Sequence, residues 1–349
     1  MINIGIIFDS RKNIGSGHFW RCLNLAKILK KKERNFYFFS NFLNTQFINI
    51  LKKENFNYFK IKNLNNFLTI KQMIKNYELD IFITDYYDLK GYQKKQIKKL
   101  VKCLIVIDDH INKKHYSDVY INFNFMSKKN SEQIKRLNSN SKLFLGIKYF
   151  ILLNNIFKKN KIIKRKNKIK NVFVFFGSSD HSNETFKFLK SIHGFENINF
   201  KILIGKVNSN YKKIRNLCKK LNNVKLFYNL SNENTLKLMK DNDLSFGAGG
   251  VNLIERLFLF LPSIVICTAN NQKDGIIALK NKNIIHSLGD YRLVNTKMIK
   301  DSIYNFVKNP KKKDDLLKKT NQYFGKKVSK NLLKKELNSY IEKKIKNYV

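Results

Sequence analysis

The sequence predicts an α/β protein built as two Rossmann-like domains in series and closed by C-terminal helices. Three observations carry this reading. Short buried-strand runs alternate with helical stretches, the rhythm pauses at a basic polar segment and then restarts, and strand signals cease before the last fifty residues. A length of 349 residues suits two domains with ample core. With 43% apolar and 27% charged residues, and only 14 Gly and 2 Pro, the composition excludes a disordered tail or a fibrous repeat.

The elements follow in order. Ile2 to Phe8 is an apolar run ending in Asp9, and Phe19 to Lys30 places Phe19, Cys22, Leu23, Ala26 and Leu29 largely on one helical face, giving strand, loop, helix. Strand runs recur at Asn35 to Phe39, Asp80 to Thr84 and Cys103 to Ile107, separated by basic helical stretches such as Lys71 to Tyr77 and Tyr92 to Lys102. Unbroken apolar strands alternating with helices imply a parallel sheet covered on both faces. This first domain is expected over 1–157, and the segment KKNKIIKRKNKIK (158–170) reads as the boundary or as a solvated helix face. A second domain over 171–296 has strand runs at Asn171 to Phe176, Phe200 to Ile204, Val224 to Tyr228, Asp243 to Phe246 and Ser263 to Cys267. Residues 297–349 read as Lys-rich terminal helices.

The longest apolar stretch, Leu257 to Ala269, is broken by Pro262 and is shorter than the roughly 20 residues a membrane helix needs. Ile2 to Phe8 lacks the flanks of a signal peptide, so a cytoplasmic location is expected. The four cysteines, Cys22, Cys103, Cys218 and Cys267, stand far apart and suit buried thiols. The 69 Lys and Arg against 25 Asp and Glu leave a net charge of +44, which admits a polyanion binder. The lysines are nevertheless spread along the whole chain beside Asn, Ile and Phe, the pattern of compositional drift. No specific nucleic-acid partner is expected.

In a doubly wound sheet, ligands bind beyond the carboxyl ends of the strands. Three such loops are rich in glycine. In DSRKNIGSGHFWRC, Gly15, Gly17 and His18 lead from the first strand into a helix, but Trp20 stands where a dinucleotide fingerprint needs a third small residue, which disfavours a nicotinamide cofactor. His18 suits proton transfer near neutral pH or a helix cap, and Asp9 suits either a turn or an orienting partner of that imidazole. In FFGSSDHSN, Gly177 and Ser178 admit a phosphate or sugar near the backbone, or form a tight turn. In SFGAGGVNLIERLFLF, Gly249 and Gly250 precede an apolar helix carrying Glu255, which fits a diphosphate on the helix N-terminus with the carboxylate on ribose hydroxyls, or a close-packed turn with a surface Glu. Asn271 and Gln272, after a later strand, offer amides suited to sugar hydroxyl and acetamido groups. Asp108, Asp109 and His110 invite a metal, but lack a further ligand at fixed spacing. No metal or cofactor is expected.

Taken together these blocks resemble a known family. IGSGHFWRCLNLA (Ile14 to Ala26) is similar to the I-G-x-G-H-x-x-R-C-L-x-L-A motif of the bacterial UDP-2,4-diacetamido-2,4,6-trideoxy-beta-L-altropyranose hydrolases of pseudaminic acid synthesis. TDYY (Thr84 to Tyr87) resembles their D-H-Y block, and the segment from Ile107 to Asn124 resembles their D-D-x-x-x-x-x-H-x-x-D segment. FGSSDHSN resembles F-G-G-x-D-x-x-N, and Gly247 to Gln272 resembles the G-A-G-G to N-Q stretch. The resemblance implies a glycosyltransferase-B architecture and inverting hydrolysis of a UDP-sugar, without a metal. It assigns water activation to His18, a place near the sugar to Tyr87, the nucleotide side to Gly249, Gly250 and Glu255, and the sugar side to Asn271 and Gln272. The pattern departs at the ends of the family's R-x-D-x-S, held here by Ile7 and Arg11 around Asp9, at Tyr86 in place of His, and at Val251 and Asn252 in place of small hydroxyl residues. A glycosyltransferase of the same fold is the alternative.

Overall fold

The computed structural model describes residues 1–11, 17–150, 168–324 and 332–347. The chain divides into two compact units, Met1–Leu153 with Ser329–Val349, and Asn154–Val328. Gly15 and most of the basic segment 158–170 lie outside the described residues. Each unit carries a parallel sheet with helices, as the strand–helix alternation predicts.

In the first unit the strands are β1 (Ile2–Phe8), β2 (Arg34–Ser40), β3 (Asn57–Lys60), β4 (Ile81–Asp85), β5 (Cys103–Ile107), β6 (Val119–Asn122) and β7 (Lys142–Leu145). They form a seven-stranded sheet of order β3-β2-β1-β4-β5-β6-β7. β1, β4 and β5 are apolar throughout their centres because both sheet faces are covered. On one face Ile4, Ile6 and Phe8 pack with Phe19 and Leu23 of α1 (Gly17–Leu29) and Phe47 of α2 (Thr45–Lys53). On the other, Ile7 and Phe82 pack with Ile70 of α3 (Phe67–Asn76), Ile97 of α4 (Gly91–Lys98) and Ile134 of α5 (Lys128–Leu137). The chain order reverses between β2-β1 and β4-β5, so the carboxyl ends of β1, β4 and β5 surround the switch point where such sheets bind ligands.

The terminal stretch 297–349 does not stay together. Helix α13 (Leu332–Lys346) belongs to the first unit, where Leu333, Leu337 and Ile341, spaced four apart, join the core beneath α1. The buried Arg34 guanidinium donates to the Leu29 carbonyl at 2.9 Å and to Asn338 Oδ1 at 2.5 Å, tying the helix to the start of β2. Because Leu337 is fully buried, Leu337→Ala is expected to destabilise the first unit by about 2 to 5 kcal/mol, read as a lower urea midpoint.

The second unit contains β8 (Asn171–Phe175), β9 (Asn199–Ile204), β10 (Val224–Tyr228), β11 (Leu244–Ala248), β12 (Ser263–Cys267) and β13 (His286–Asp290). Their order, β10-β9-β8-β11-β12-β13, repeats the arrangement of the first sheet. Its core gathers Phe188 of α6 (Glu184–Ser191), Ile214 of α7 (Tyr211–Cys218) and Ile299, Ile303 and Phe306 of α11 (Thr296–Lys308). Helices α8 (Asn232–Lys240), α9 (Val251–Phe258), α10 (Lys273–Lys280) and α12 (Pro310–Phe324) complete the unit. Among the described residues, no helix is long and apolar enough to cross a membrane.

Candidate active site

At the carboxyl edge of the first sheet, polar side chains from α1, the end of β4 and the residues following β4 and β5 form one network. His18 stands in the first turn of α1, and its Nδ1 lies 2.8 Å from Oδ1 of the fully buried Asp85, the last residue of β4. A carboxylate accepts the Nδ1 proton, which leaves Nε2 of the neutral ring with its lone pair available. Arg21, one helical turn after His18, donates through Nε and Nη2 to Asp85 and through Nη1 to Asp109 at 2.8 and 2.9 Å. Burial pushes the Asp85 carboxyl up, but Arg21 and His18 outweigh it and hold the group below its ordinary range. Arg21 compensates one of the two carboxylates, so an imidazolium formed at His18 meets a remaining negative charge.

Tyr87 is bound into the same network. Its hydroxyl donates to Asp109 and accepts from Arg21 Nη2 at 3.0 Å, while burial first and Asp109 next raise its pKa and keep it neutral. The ring, packed edge-on to His18 with centroids 4.9 Å apart, is the part of Tyr87 presented beside the imidazole. Tyr86 is buried, and its hydroxyl accepts from Asn41 at 3.3 Å.

Asp9 has a different partner from the one its position suggests. Its carboxylate is buried and takes Arg11 Nε at 3.0 Å and Nη2 at 2.5 Å, and Arg11 also reaches Asp88 at 2.9 Å. The carboxylate on His18 is therefore Asp85, because the β1–β4 register sets Phe8 opposite Asp85 and brings the end of β4 to the start of α1. Asp85 and Arg21 are the functional candidates that sequence reasoning missed, and Asp109, read there as part of a possible metal group, instead accepts from Arg21 and Tyr87. The only local signals were the Asp of TDYY and the Arg three residues after His18.

A buried chain supports the next loop. His110 donates Nδ1 to Asp108 Oδ1 at 2.6 Å, His115 Nε2 lies 3.5 Å from Asp108 Oδ2, and Lys94 Nζ donates to His115 Nδ1 at 3.1 Å. Burial, with Lys94 next in effect, depresses His115 to about 3, and burial depresses Lys94 to about 8. Burial raises the Asp108 carboxyl, but the bond from His110 and the charge of His115 outweigh it and bring it to about 2. Unfolded His115 takes up a proton near 6.5, whereas the folded chain resists protonation down to about 3. Stability should thus fall as pH drops through that window, by up to about 1.4 kcal/mol per pH unit from this group. Urea midpoints between pH 7 and pH 4 check this, and His115→Gln should flatten the slope.

In the second unit, Gly177 takes φ +100° directly after β8, a conformation glycine adopts without penalty, and half-buried Ser178 packs on Gly205. Within β11, a side chain at Gly247 would strike the Phe175 carbonyl at 2.2 Å, so close strand packing requires that glycine. Gly249 N–H donates to Gln272 Oε1 at 3.1 Å, and the same oxygen accepts from Thr268 N–H at 3.2 Å, so Gln272 staples two loops. Gly250 is the N-cap of α9 and supplies no capping side chain. The Glu255 carboxylate takes Asn232 Nδ2 at 3.0 Å and Asn252 Nδ2 at 3.1 Å, and burial raises its pKa. Beneath this loop the fully buried Arg256 donates to the Ala248 carbonyl at 2.6 Å, and burial lowers its pKa to about 9. Asn271 is exposed on the 3₁₀ turn Asn270–Gln272. Among the described residues no three His, Cys, Asp or Glu are grouped to hold a metal ion.

No protein-family profile matches the chain. The uncharacterized protein MJ1062 of Methanocaldococcus jannaschii is 30% identical over 281 residues, 78% of this chain and 57% of that protein, so the chain spans less than two thirds of that relative. The spore coat polysaccharide biosynthesis protein SpsG of Bacillus subtilis is 24% identical over 276 residues, 78% of this chain and 79% of that protein. The UDP-2,4-diacetamido-2,4,6-trideoxy-beta-L-altropyranose hydrolase of Campylobacter jejuni is 24% identical over 210 residues, 60% of this chain and 74% of that protein. Among solved structures, MurG of Acinetobacter baumannii aligns with TM-score 0.65 and 11% identity over 98% of this chain and 99% of that one. The UDP-GlcNAc 2-epimerase of Neisseria meningitidis aligns with TM-score 0.64 and 11% identity over 98% of this chain and all of that one. The fold is the glycosyltransferase-B architecture that the resemblance implies.

Proposed function

We propose that the chain is a nucleotide-sugar hydrolase that releases UDP by inverting attack of water at the anomeric carbon. We assign as substrate UDP-2,4-diacetamido-2,4,6-trideoxy-beta-L-altropyranose, on the path to pseudaminic acid. The observation that carries the reaction type is the His18–Asp85 dyad at the sheet's switch point. His18 Nε2 takes a proton from water as its oxygen bonds to C1. The C1–O bond to UDP breaks with its electron pair staying on the β-phosphate oxygen, and His18 then returns the proton to solvent. Asp85 fixes the tautomer and stabilises the imidazolium, in the manner of a catalytic triad's carboxylate.

The nucleotide is assigned to the N-terminus of α9 at Gly249 and Gly250, with the buried Arg256 adding positive charge beneath it, and its ribose hydroxyls to Glu255. Asn271 and Gln272 are assigned to the sugar side, with Gly15, Gly17, Gly177 and Ser178 as close-approach backbone. The substrate rests on the Campylobacter relative and on the motif blocks. UDP release from a panel of UDP-sugars, with no acceptor present, tests the proposal. Release of UDP from the diacetamido sugar supports it, while release only after an acceptor is added would make the protein a transferase of the same fold.

A further inference from the structure

The network holds a second imidazole that this mechanism does not use. His110 follows β5, and its side chain is 40% exposed. Its backbone N–H donates to Asp108 Oδ1 at 2.8 Å and its Nδ1 to the same oxygen at 2.6 Å, so one carboxylate fixes both the turn and the ring. The ring packs edge-on to Tyr87 with centroids 4.8 Å apart, and His18 packs on that same Tyr87 ring at 4.9 Å. Both histidines therefore rest on one aromatic ring, each with Nδ1 committed to a buried aspartate and Nε2 left over.

The support beneath His110 is costly. Asp108 is 1% exposed, and behind it lie the buried His115, whose Nε2 is 3.5 Å from Asp108 Oδ2 without a hydrogen bond, and the buried Lys94, which donates to His115 Nδ1. Tyr120 stacks on His115 with centroids 5.0 Å apart and donates its hydroxyl to the Asp108 carbonyl at 2.8 Å. Burying an ammonium, an imidazole and a carboxylate disfavours folding compared with an apolar core of the same shape, and what this assembly fixes is the partly exposed ring of His110. Such backing is the expected support for a residue whose position relative to a ligand matters.

We propose that His110 is a substrate-contacting residue whose Nε2 accepts a hydrogen bond from a ring hydroxyl or amide N–H of the sugar; this rests on the nucleotide-sugar reading of the same site. With Nδ1–H given to Asp108, the neutral ring has only an acceptor left, which selects for a donor on the ligand. His110 thus sets sugar affinity, and His18 performs the chemistry.

The test titrates UDP and the UDP-diacetamido sugar by calorimetry into His18→Asn, which leaves the sugar uncleaved, and into the same variant carrying His110→Ala or His110→Gln. UDP should bind all three alike. The UDP-sugar should bind about tenfold more weakly with Ala, as expected for one lost hydrogen bond, and Gln should recover part of the loss. In the His18-containing enzyme, His110→Ala should raise KM more than it lowers kcat. Equal affinity of the UDP-sugar for all three proteins would overturn the role of His110 alone. A His110-dependent affinity without UDP release by the wild type would sustain it and overturn the hydrolase reading. Failure of both ligands to bind would overturn both.

Discussion

His18→Asn is expected to lower the rate of UDP release by about a hundred- to ten-thousand-fold, the usual contribution of a positioned general base, while UDP affinity stays unchanged. The nucleotide contacts are assigned to the loop of Gly249, Gly250 and Glu255 in the other unit, so the two readouts separate. The substitution keeps a polar side chain near Asp85, which limits the structural cost. Rates under saturating UDP-sugar, together with UDP titration of the same protein, check both halves of the expectation. A parallel loss of UDP binding would contradict this division of labour.

Asp85→Asn should be as severe for a different reason. The carboxylate accepts from His18 and from two nitrogens of Arg21. An amide there can donate to Nδ1 instead, which moves the ring proton to Nε2 and removes the lone pair that water activation needs. A thousandfold or greater loss of kcat is expected, about the size seen when the aspartate of a catalytic triad is replaced in this way. The change also leaves the buried Arg21 with Asp109 as its one remaining carboxylate partner. Breaking a buried pair on one side costs about 3 to 5 kcal/mol, so urea unfolding should move in parallel. Asp9→Asn, on Arg11 rather than His18, provides the contrast and should leave far more activity.

The unequal effects expected at Asp85 and Asp9 also show what the sequence does and does not encode locally. Ile2–Phe8, Ile81–Asp85 and Cys103–Ile107 are readable as strands because parallel strands buried on both faces are continuous apolar runs. The short β3, β6 and β7 escape notice because four residues of mixed polarity carry too little periodicity. His18 is readable because a glycine-rich strand-to-helix loop is a local pattern. Its partner lies 67 residues away, and only the β1–β4 register selects Asp85 over Asp9. The stripe Leu333, Leu337 and Ile341 announces an amphipathic helix, but nothing local says which of two similar sheets it covers.

Attack of water at the anomeric carbon can be followed by turnover in ¹⁸O-labelled water, with the first-formed sugar anomer observed by NMR. UDP should be released without label, and the sugar should appear first with inverted anomeric configuration. Label in the β-phosphate of UDP, or no turnover without an added acceptor, would rule out attack of water at that carbon.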